Sequence, residues 1–270
     1  MNPWVESLGV SLLAAGGMFL GAWFSRLPRH WWLIGYFLPL SLVIIYDIGN
    51  RHPALALTPP VSWMMLGRNR FAAAGFMAAM VLTTPALKLP QRRDRIAVFA
   101  MMICVVLGVA VWPFLAPAFD QKHLAGLVTD IDRDGVCHQS TGYTCGPAAA
   151  VTALRKLGFK ADEGEIALLA HTTCFTGTPP DVLAKTLRDR YGKEGLISEY
   201  RVFEDPAELK NCVPFLAVVK FNVILEHYVT VLDVNDHEIT VGDPLQGLDK
   251  LTIAEFKEKW LYSGVVLRRK

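Results

Sequence analysis

The stretch QSTGYTCGPAAA, residues Gln139 to Ala150, decides the fold of the second half of this chain. It begins with polar turn residues and ends in a short apolar run, with Cys145 at the junction. Pro147 and the run that follows it predict a helix that begins beside the cysteine. Unpaired N–H groups and the helix dipole at such an end favour a thiolate. The stretch therefore allows two interpretations of Cys145, a nucleophile or a small buried hydrophobe.

A nucleophilic thiolate needs an imidazole base, a group that orients the imidazole and a donor for the oxyanion, and each has a candidate here. His227 begins a predicted strand and Asp243 ends the next one, so a hairpin of these strands would bring the carboxylate beside the imidazole. Gln139, six residues before Cys145, is on the loop that leads into the predicted helix. We expect its amide N–H and the backbone N–H of Cys145 to form an oxyanion hole. Each residue alone is common in structural roles, but this order of four is hard to obtain by chance.

The order of predicted elements in the second half favours an α+β fold, with helices first and antiparallel strands second. Apolar residues at three- and four-residue spacing predict helices at residues 146–157, 163–170 and 179–191. The third helix has Thr178 as its expected N-cap and Pro179 at its first position. Runs rich in β-branched and aromatic residues predict strands at 199–203, 215–221, 227–234, 239–242 and 265–267. A short amphipathic helix at 253–260 precedes the last strand.

The first half contains four apolar runs of nearly membrane-spanning length, at residues 8–24, 31–48, 71–87 and 96–119. A spanning helix needs about 20 mostly apolar residues, because its backbone finds no other hydrogen-bond partners in lipid. Six of the seven tryptophans lie before residue 120, most of them near run ends, where an amphipathic ring suits the headgroup region. A signal peptide would explain at most the first run. The sequence predicts a domain of about four transmembrane helices at residues 1–119, a linker at 120–136 and a second domain at 137–270.

Charge divides the chain at the same place. Residues 1–119 carry nine Lys and Arg against three acidic residues, a net charge of +6, whereas the remainder carries −4. The basic residues lie in short segments between apolar runs and no nucleic-acid motif is present, so we expect no nucleic-acid partner. Six of them lie in the first and third loops, and the positive-inside rule then puts the second domain outside the cytoplasm. The predicted location is a bacterial inner membrane, crossed several times.

Two features of the first half leave alternatives open. Asp47, at the end of the second run, suits an intramembrane functional carboxylate or an interfacial residue with Arg51 one helical turn away. The uncharged segment 53–67 contains Pro59 and Pro60, which favour an interfacial or re-entrant loop.

The residues around Cys145 and its candidate partners resemble the bacteriocin-processing, double-glycine cysteine peptidases. The resemblance covers residues 137–262 and rests on Gln139 to Ala149 with its Gln-x5-Cys-Gly spacing, Thr176-Gly177-Thr178, Glu226-His227-Tyr228-Val229, and Asp243-Pro244-x2-Gly247 followed by Leu251-Thr252-x2-Glu255-Phe256. It implies a papain-like fold, with Cys145 as nucleophile, His227 as general base and then acid, Asp243 as its orienting partner and Gln139 in the oxyanion hole. It also implies cleavage after a Gly-Gly pair at the end of a leader peptide, without a cofactor.

The chain departs from that family's pattern in three places. Thr144 precedes the nucleophile where many members have an acidic residue, and Pro147 replaces a small residue. The best-known members place the peptidase at the N-terminus of an ABC exporter, whereas here it follows the apolar runs and the chain has no Walker motif. We therefore predict a membrane-anchored cysteine endopeptidase that acts on a peptide or protein precursor with a leader sequence. The lipid bilayer and a separate exporter are its further candidate partners.

Other interpretations use these residues differently. The same triad would serve a Cys-dependent acyltransferase or amidase on cell-envelope substrates, and without catalysis the domain would be a leader-peptide receptor for an exporter. A two-Cys, two-His metal site is a further alternative, formed by Cys137, His138, His171 and Cys174. In an oxidising compartment, Cys137 could instead form a disulfide with Cys174 or Cys212, leaving Cys145 free. Asp233 and Asp236 are weaker substitutes for Asp243.

Overall fold

The computed structural model describes residues 2–51, 68–221 and 226–270. The predictions for the Asp47 side chain and for the segment 53–67 lie outside the described residues. The chain forms two compact units, Met1–Phe119 and Asp120–Lys270.

The first unit is helical, and all four predicted apolar runs lie in helices. Among the described residues, the helices that begin in it are α1 (Pro3–Ser25), α2 (Ile34–Arg51), α3 (Asn69–Ala86), α4 (Arg92–Val105) and α5 (Trp112–Ala125). A short 3-10 helix, Trp31–Leu33, precedes α2, and a π-helical segment, Val106–Val111, joins α4 to α5. The side chain of Asn2 caps α1 by accepting a hydrogen bond from the Trp4 N–H at 3.0 Å.

Two helical stretches in the described part of the chain are long and apolar enough to cross a membrane, Pro3–Ser25 and Arg92–Ala125. The described residues thus show two such stretches, not the four that the sequence predicts. Within the described side chains, the second run forms an apolar helical stretch over Trp31–Ile45. The third run forms α3, whose 18 residues include Asn69, Arg70 and many small residues, and these lower its mean hydropathy.

Two glycines of α1 bring this helix into close contact with α3. A Cβ atom added at Gly17 would lie 2.3 Å from the carbonyl oxygen of Phe76, and one at Gly21 would lie 2.6 Å from that of Met80. Small residues four apart let two helix backbones approach in this way. Away from this contact α1 exposes large apolar side chains: Trp4, Val5, Leu8, Leu12, Phe19 and Trp23.

The second unit confirms the predicted α+β fold. Its helices are α6 (Cys145–Lys156), α7 (Glu163–Leu169), α8 (Pro180–Tyr191) and α9 (Ile253–Lys259). Its strands are β1 (Asp130–Ile131), β2 (Cys137–His138), β3 (Leu196–Val202), β4 (Phe215–Lys220), β5 (Glu226–Val234), β6 (Glu238–Asp243), β7 (Gly247–Thr252) and β8 (Trp260–Arg269). Within the described residues, six strands form one antiparallel sheet in the order β3-β8-β4-β5-β6-β7, and β1 pairs with β2.

The structure differs from the predicted elements of this unit at several points, of which three follow. Pro179, not Thr178, is the N-cap residue of α8, because the Thr178 hydroxyl bonds to Thr172 Oγ1 at 2.7 Å. Strand β7, a mostly polar strand at the edge of the sheet, was not predicted. The segment 120–136, expected as a linker, contains the end of α5 and strand β1.

Strand β5 is buried on both faces and therefore fixes where α6 lies. On one face, the hydroxyl of Thr230 donates to the carbonyl of Ala149 in α6 at 2.8 Å. Val229 and Val231 belong to the core on the other face, which is built around Trp260. Because successive side chains of a strand alternate between faces, β5 joins both cores and holds the start of α6 against the sheet.

Candidate active site

Cys145 is the first residue of α6 and is half-exposed. The next residue, Gly146, lies so close to β5 that an added Cβ would be 3.3 Å from Tyr228 Cε2 and 3.3 Å from Thr178 Cβ. The Tyr228 ring is itself held, since its hydroxyl donates to the carbonyl of Thr178 at 2.9 Å. Glycine at this position therefore lets the N-terminus of α6 approach the strand that carries His227.

His227 and Asp243 are brought together by the antiparallel pairing of β5 with β6. The imidazole Nε2 donates to Asp243 Oδ1 at 2.8 Å, and the His227 side chain is 6 % exposed. Asp243 is the last residue of β6, and its Oδ1 also accepts the N–H of Leu245 at 2.8 Å. The carboxylate is therefore fixed by its own turn before it contacts the imidazole.

The surroundings of His227 favour its protonated form. Burial alone would lower the pKa of this imidazole, but its hydrogen bonds to Asp243 and Cys145, and the negative charges of both partners, outweigh burial and raise the pKa to about 9. Burial acts on Asp243 in the opposite direction, yet hydrogen bonds from His227 and Leu245 hold the pKa of that carboxyl below its ordinary value. The surroundings therefore suit an imidazolium that is hydrogen-bonded to the Asp243 carboxylate.

The Cys145 thiol lies close enough to the His227 imidazole to help raise its pKa. Because Asp243 takes the Nε2 of His227, the nitrogen left for the thiol is Nδ1. Three elements of the fold, the start of α6, the start of β5 and the end of β6, thus converge on one thiol.

Gln139 directly follows β2 and is tied to the same region by its backbone. Its N–H donates to the carbonyl of Pro244, the residue after Asp243, at 3.0 Å. Its side-chain Nε2 donates to the carbonyl of Thr141 at 2.7 Å. Its Oε1 is buried and has no hydrogen-bond partner among the described residues. An amide nitrogen carries two hydrogens, so one remains beyond the bond to Thr141.

The residues of the alternative interpretations do not come together. No group of three His, Cys, Asp or Glu side chains in the described residues has the geometry to hold a metal ion. All five cysteines are described, and each is a free thiol. Cys137 is fully buried, and burial, followed by the charge of Glu163, raises its pKa to about 12, which makes it a poor nucleophile. Asp236 is exposed and forms an ion pair with Lys210.

One polar residue close to the site was not predicted from the sequence. Glu163 is completely buried at the start of α7, and its carboxylate accepts two hydrogen bonds from Ser140, the residue after Gln139. An acidic residue in the first turn of a helix is typical of a solvated helix N-terminus, so its position in the sequence gave no signal of burial.

Comparison with known proteins gives one family. The sequence profile described as the Peptidase C39 family matches residues 133–270. An uncharacterised protein of Methanothermobacter marburgensis is 32 % identical over 153 residues, which are 55 % of this chain and 93 % of that protein. An uncharacterised protein of Methanothermobacter thermautotrophicus is 30 % identical over 143 residues, 52 % of this chain and 90 % of that protein.

Solved structures with a similar backbone include two peptidases. One is a double glycine motif protease from an AMS/PCAT transporter in complex with the leader peptide, with 17 % identity, a TM-score of 0.43 and coverage of 53 % of this chain and 100 % of that one. The other is the peptidase domain of Streptococcus ComA, with 19 % identity, a TM-score of 0.43 and coverage of 49 % and 96 %.

Proposed function

The chain belongs to the Peptidase C39 family, and on that premise we propose that it is a membrane-anchored cysteine endopeptidase with Cys145 as its nucleophile. Its second unit has the papain-like fold of that family, with helices followed by an antiparallel sheet. The single observation that carries the assignment of Cys145 is its place beside the His227 imidazole, which Asp243 holds through a 2.8 Å hydrogen bond. A buried structural cysteine has no need of a fixed imidazole and carboxylate.

In the first half of the proposed reaction, the Cys145 thiolate attacks the carbonyl carbon of the scissile peptide. The oxyanion that forms accepts hydrogen bonds from the backbone N–H of Cys145 and from the free hydrogen of Gln139 Nε2. His227 then donates its Nδ1 proton to the leaving amine as the C–N bond breaks. The products of this half are the released amine and a thioester on Cys145.

In the second half, a water molecule attacks the thioester carbonyl while Nδ1 of His227 accepts a proton from it. The C–S bond breaks and the carboxylic acid leaves, so that the thiolate and the imidazolium are restored. Asp243 keeps the Nε2–H of His227 engaged throughout, which leaves Nδ1 free for both proton transfers. The two halves of the proposed reaction balance without an oxidant, a metal or a cofactor.

We extend the proposal to the substrate from the motifs that surround these residues. Their resemblance to the double-glycine peptidases favours a peptide or protein precursor, cut after a Gly-Gly pair at the end of its leader. The bilayer is the second proposed partner, bound by Pro3–Ser25 and Arg92–Ala125, which among the described residues have the length and composition to span it. A separate exporter, which would carry the processed product, is the third.

The nucleophile is tested with the full chain purified in detergent and a synthetic precursor that carries a Gly-Gly leader. We expect Cys145→Ala to lower the rate of cleavage by about 10³-fold or more, since removal of the nucleophile leaves only binding and the oxyanion hole. Cys174→Ala is the matched control, because Cys174 is an exposed cysteine of the same unit. Wild-type rates in Cys145→Ala would exclude the proposed mechanism. Transfer of the acyl group to added amines in preference to water would identify an acyltransferase instead.

The proposed orientation, with the peptidase outside the cytoplasm, has its own experiment. A membrane-impermeant, thiol-reactive peptide electrophile ending in Gly-Gly is added to intact cells and, separately, to lysed cells. Labelling of Cys145 in intact cells is the expected result. Labelling only after lysis would contradict this orientation without affecting the assignment of the nucleophile.

A further inference from the structure

A buried carboxylate lies behind the loop that leads to Cys145. Glu163 is the first residue of α7, and its side chain is 0 % exposed. Its Oε1 accepts the backbone N–H of Ser140 at 2.9 Å, and its Oε2 accepts the Ser140 hydroxyl at 2.6 Å. Both carboxylate oxygens therefore bind the same residue. A buried carboxylate is costly unless it is hydrogen-bonded in this way, so the contact joins α7 tightly to the loop.

Ser140, the residue that Glu163 holds, lies next to the hydrogen bonds that fix the position of the Gln139 amide. Ser140 follows Gln139 and precedes Thr141, whose carbonyl accepts the Gln139 Nε2–H at 2.7 Å. On the other side, the backbone N–H of Gln139 is fixed on the carbonyl of Pro244 at 3.0 Å. The direction of the Gln139 side chain thus depends on a short piece of backbone with one attachment at Pro244 and one at Glu163.

We propose that Glu163 is a positioning residue for the oxyanion hole, holding Ser140 so that the Gln139 amide points at the developing oxyanion. The inference rests on the proposed function, because it needs Gln139 to act as the oxyanion donor. Glu163 itself does not touch the substrate. Its effect passes through the peptide between Ser140 and Thr141, so the loss of its carboxylate moves the amide and leaves the thiol, the imidazole and Asp243 in place.

The first test is Glu163→Ala in the full chain, assayed by cleavage of the leader-bearing precursor. Loss of one oxyanion donor costs roughly 10²- to 10³-fold in kcat, and a displaced donor costs less. We expect kcat to fall about 10- to 100-fold, with KM within about threefold of the wild type. Glu165→Ala is the matched control, since Glu165 lies in the same helix and forms a half-exposed ion pair with Arg190. It should leave both constants within about twofold.

A second readout separates positioning from a general loss of structure. Alkylation of Cys145 by iodoacetamide requires the thiolate and its imidazolium but forms no oxyanion. Glu163→Ala should therefore react with iodoacetamide at the wild-type rate over pH 5–10 while its peptide cleavage is slow. Equal losses in alkylation and cleavage would overturn the positioning role. Failure of the wild type to cleave any precursor, with Cys145 still alkylated, would count against the proposed function instead.

The third test couples Glu163 to Gln139. If Glu163 acts only through the amide, the double variant Gln139→Ala with Glu163→Ala should have the same kcat as Gln139→Ala alone. Losses that multiply would show that Glu163 acts by another route, and the proposal would be wrong.

Glu163→Gln keeps the test valid if the alanine variant folds poorly. Its amide oxygen can accept the Ser140 N–H, and its NH2 can donate to Ser140 Oγ, whose own hydrogen then goes to the carbonyl of Val128 at 3.1 Å. We expect this variant to recover kcat to within about fivefold of the wild type. A folded Glu163→Gln protein with the low kcat expected of Glu163→Ala would contradict positioning through these hydrogen bonds.

Discussion

His227 Nε2 and Asp243 Oδ1 lie 2.8 Å apart, and the same carboxylate oxygen accepts the Leu245 N–H at 2.8 Å. One oxygen therefore has two donors, one from the backbone and one from the imidazole. Any side chain that presents an oxygen at this point will be held by the backbone donor and will keep Nε2 protonated. A substitution at Asp243 can therefore remove the negative charge of this side chain and still keep an oxygen in the same position.

Asp243→Asn should keep the hydrogen bonds to His227 and Leu245 and change the pH dependence of kcat/KM. The Leu245 N–H selects the amide oxygen to face Nε2, so we expect kcat/KM at pH 7 to fall only about 10-fold, and more in Asp243→Ala. The wild-type imidazolium is lost as pH rises through about 9, which sets the alkaline limb of activity. Without the carboxylate charge the pKa of His227 falls, so the alkaline limb should move to lower pH. The measurement is the pH profile of kcat/KM together with that of Cys145 alkylation. Asp236→Asn, at an exposed turn, is the control, and an unshifted alkaline limb in Asp243→Asn would contradict the argument.

Gly146→Ala should lower activity more than stability. The added Cβ would lie 3.3 Å from both the Tyr228 ring and Thr178, and the ring cannot move away because its hydroxyl is bonded to the Thr178 carbonyl. The start of α6 must shift instead, and a shift of the nucleophile by a fraction of an ångström costs about 10-fold or more in rate. Gly142→Ala is the matched control on the same loop, since a Cβ there has nothing within 4 Å. The measurements are the cleavage kinetics and the thermal melting of both variants. Equal cleavage rates in the two variants would show that the added Cβ at Gly146 does not displace the nucleophile.

The sequence predicts the α+β fold of the second unit because the apolar patterns of α6, α8 and β5 follow from local rules. Strand β7 could not be predicted in this way, since its residues are polar and it is a strand only through its pairing with β6. The N-cap of α8 moved by one residue because Thr178 takes part in tertiary hydrogen bonds with Thr172 and Tyr228. Such bonds have no signature in the local sequence.

The candidate site also has one part that the sequence predicts and another that depends on tertiary packing. The spacing of His227 and Asp243 is sufficient to predict that a hairpin brings them together, and in the structure they are hydrogen-bonded, with Cys145 beside the imidazole. Their catalytic roles, and that of Gln139, stay predictions. Glu163 could not be found, because its burial depends on where α7 packs, which no local pattern specifies. Polar residues that support a site from behind are therefore the part that sequence reasoning misses.

Thr230→Val should destabilise the second unit by about 1 kcal/mol, the usual net contribution of one hydrogen bond. Valine preserves the shape of threonine but removes the donor to the Ala149 carbonyl, 2.8 Å away in α6. The free energy of unfolding from urea titration is the measurement, with Thr240→Val on the half-buried part of β6 as control, expected to change it by less than about 0.5 kcal/mol. A Thr230→Val protein as stable as the control would mean that this bond does not hold α6 on the sheet.

Gly17→Val should destabilise the helical unit, whereas Gly16→Val should not. Both substitutions place the same β-branched residue in the middle of α1, so their cost in helix propensity is equal. A side chain at Gly17 would meet the Phe76 carbonyl at 2.3 Å, but one at Gly16 has nothing within 4 Å. Because backbone cannot yield as a flexible side chain does, α1 and α3 must separate, at a cost of about 1–3 kcal/mol. For a protein of this size that lowers the melting temperature in detergent by roughly 3–10 °C. Equal melting temperatures for the two variants would show that the glycine contact does not hold these helices together.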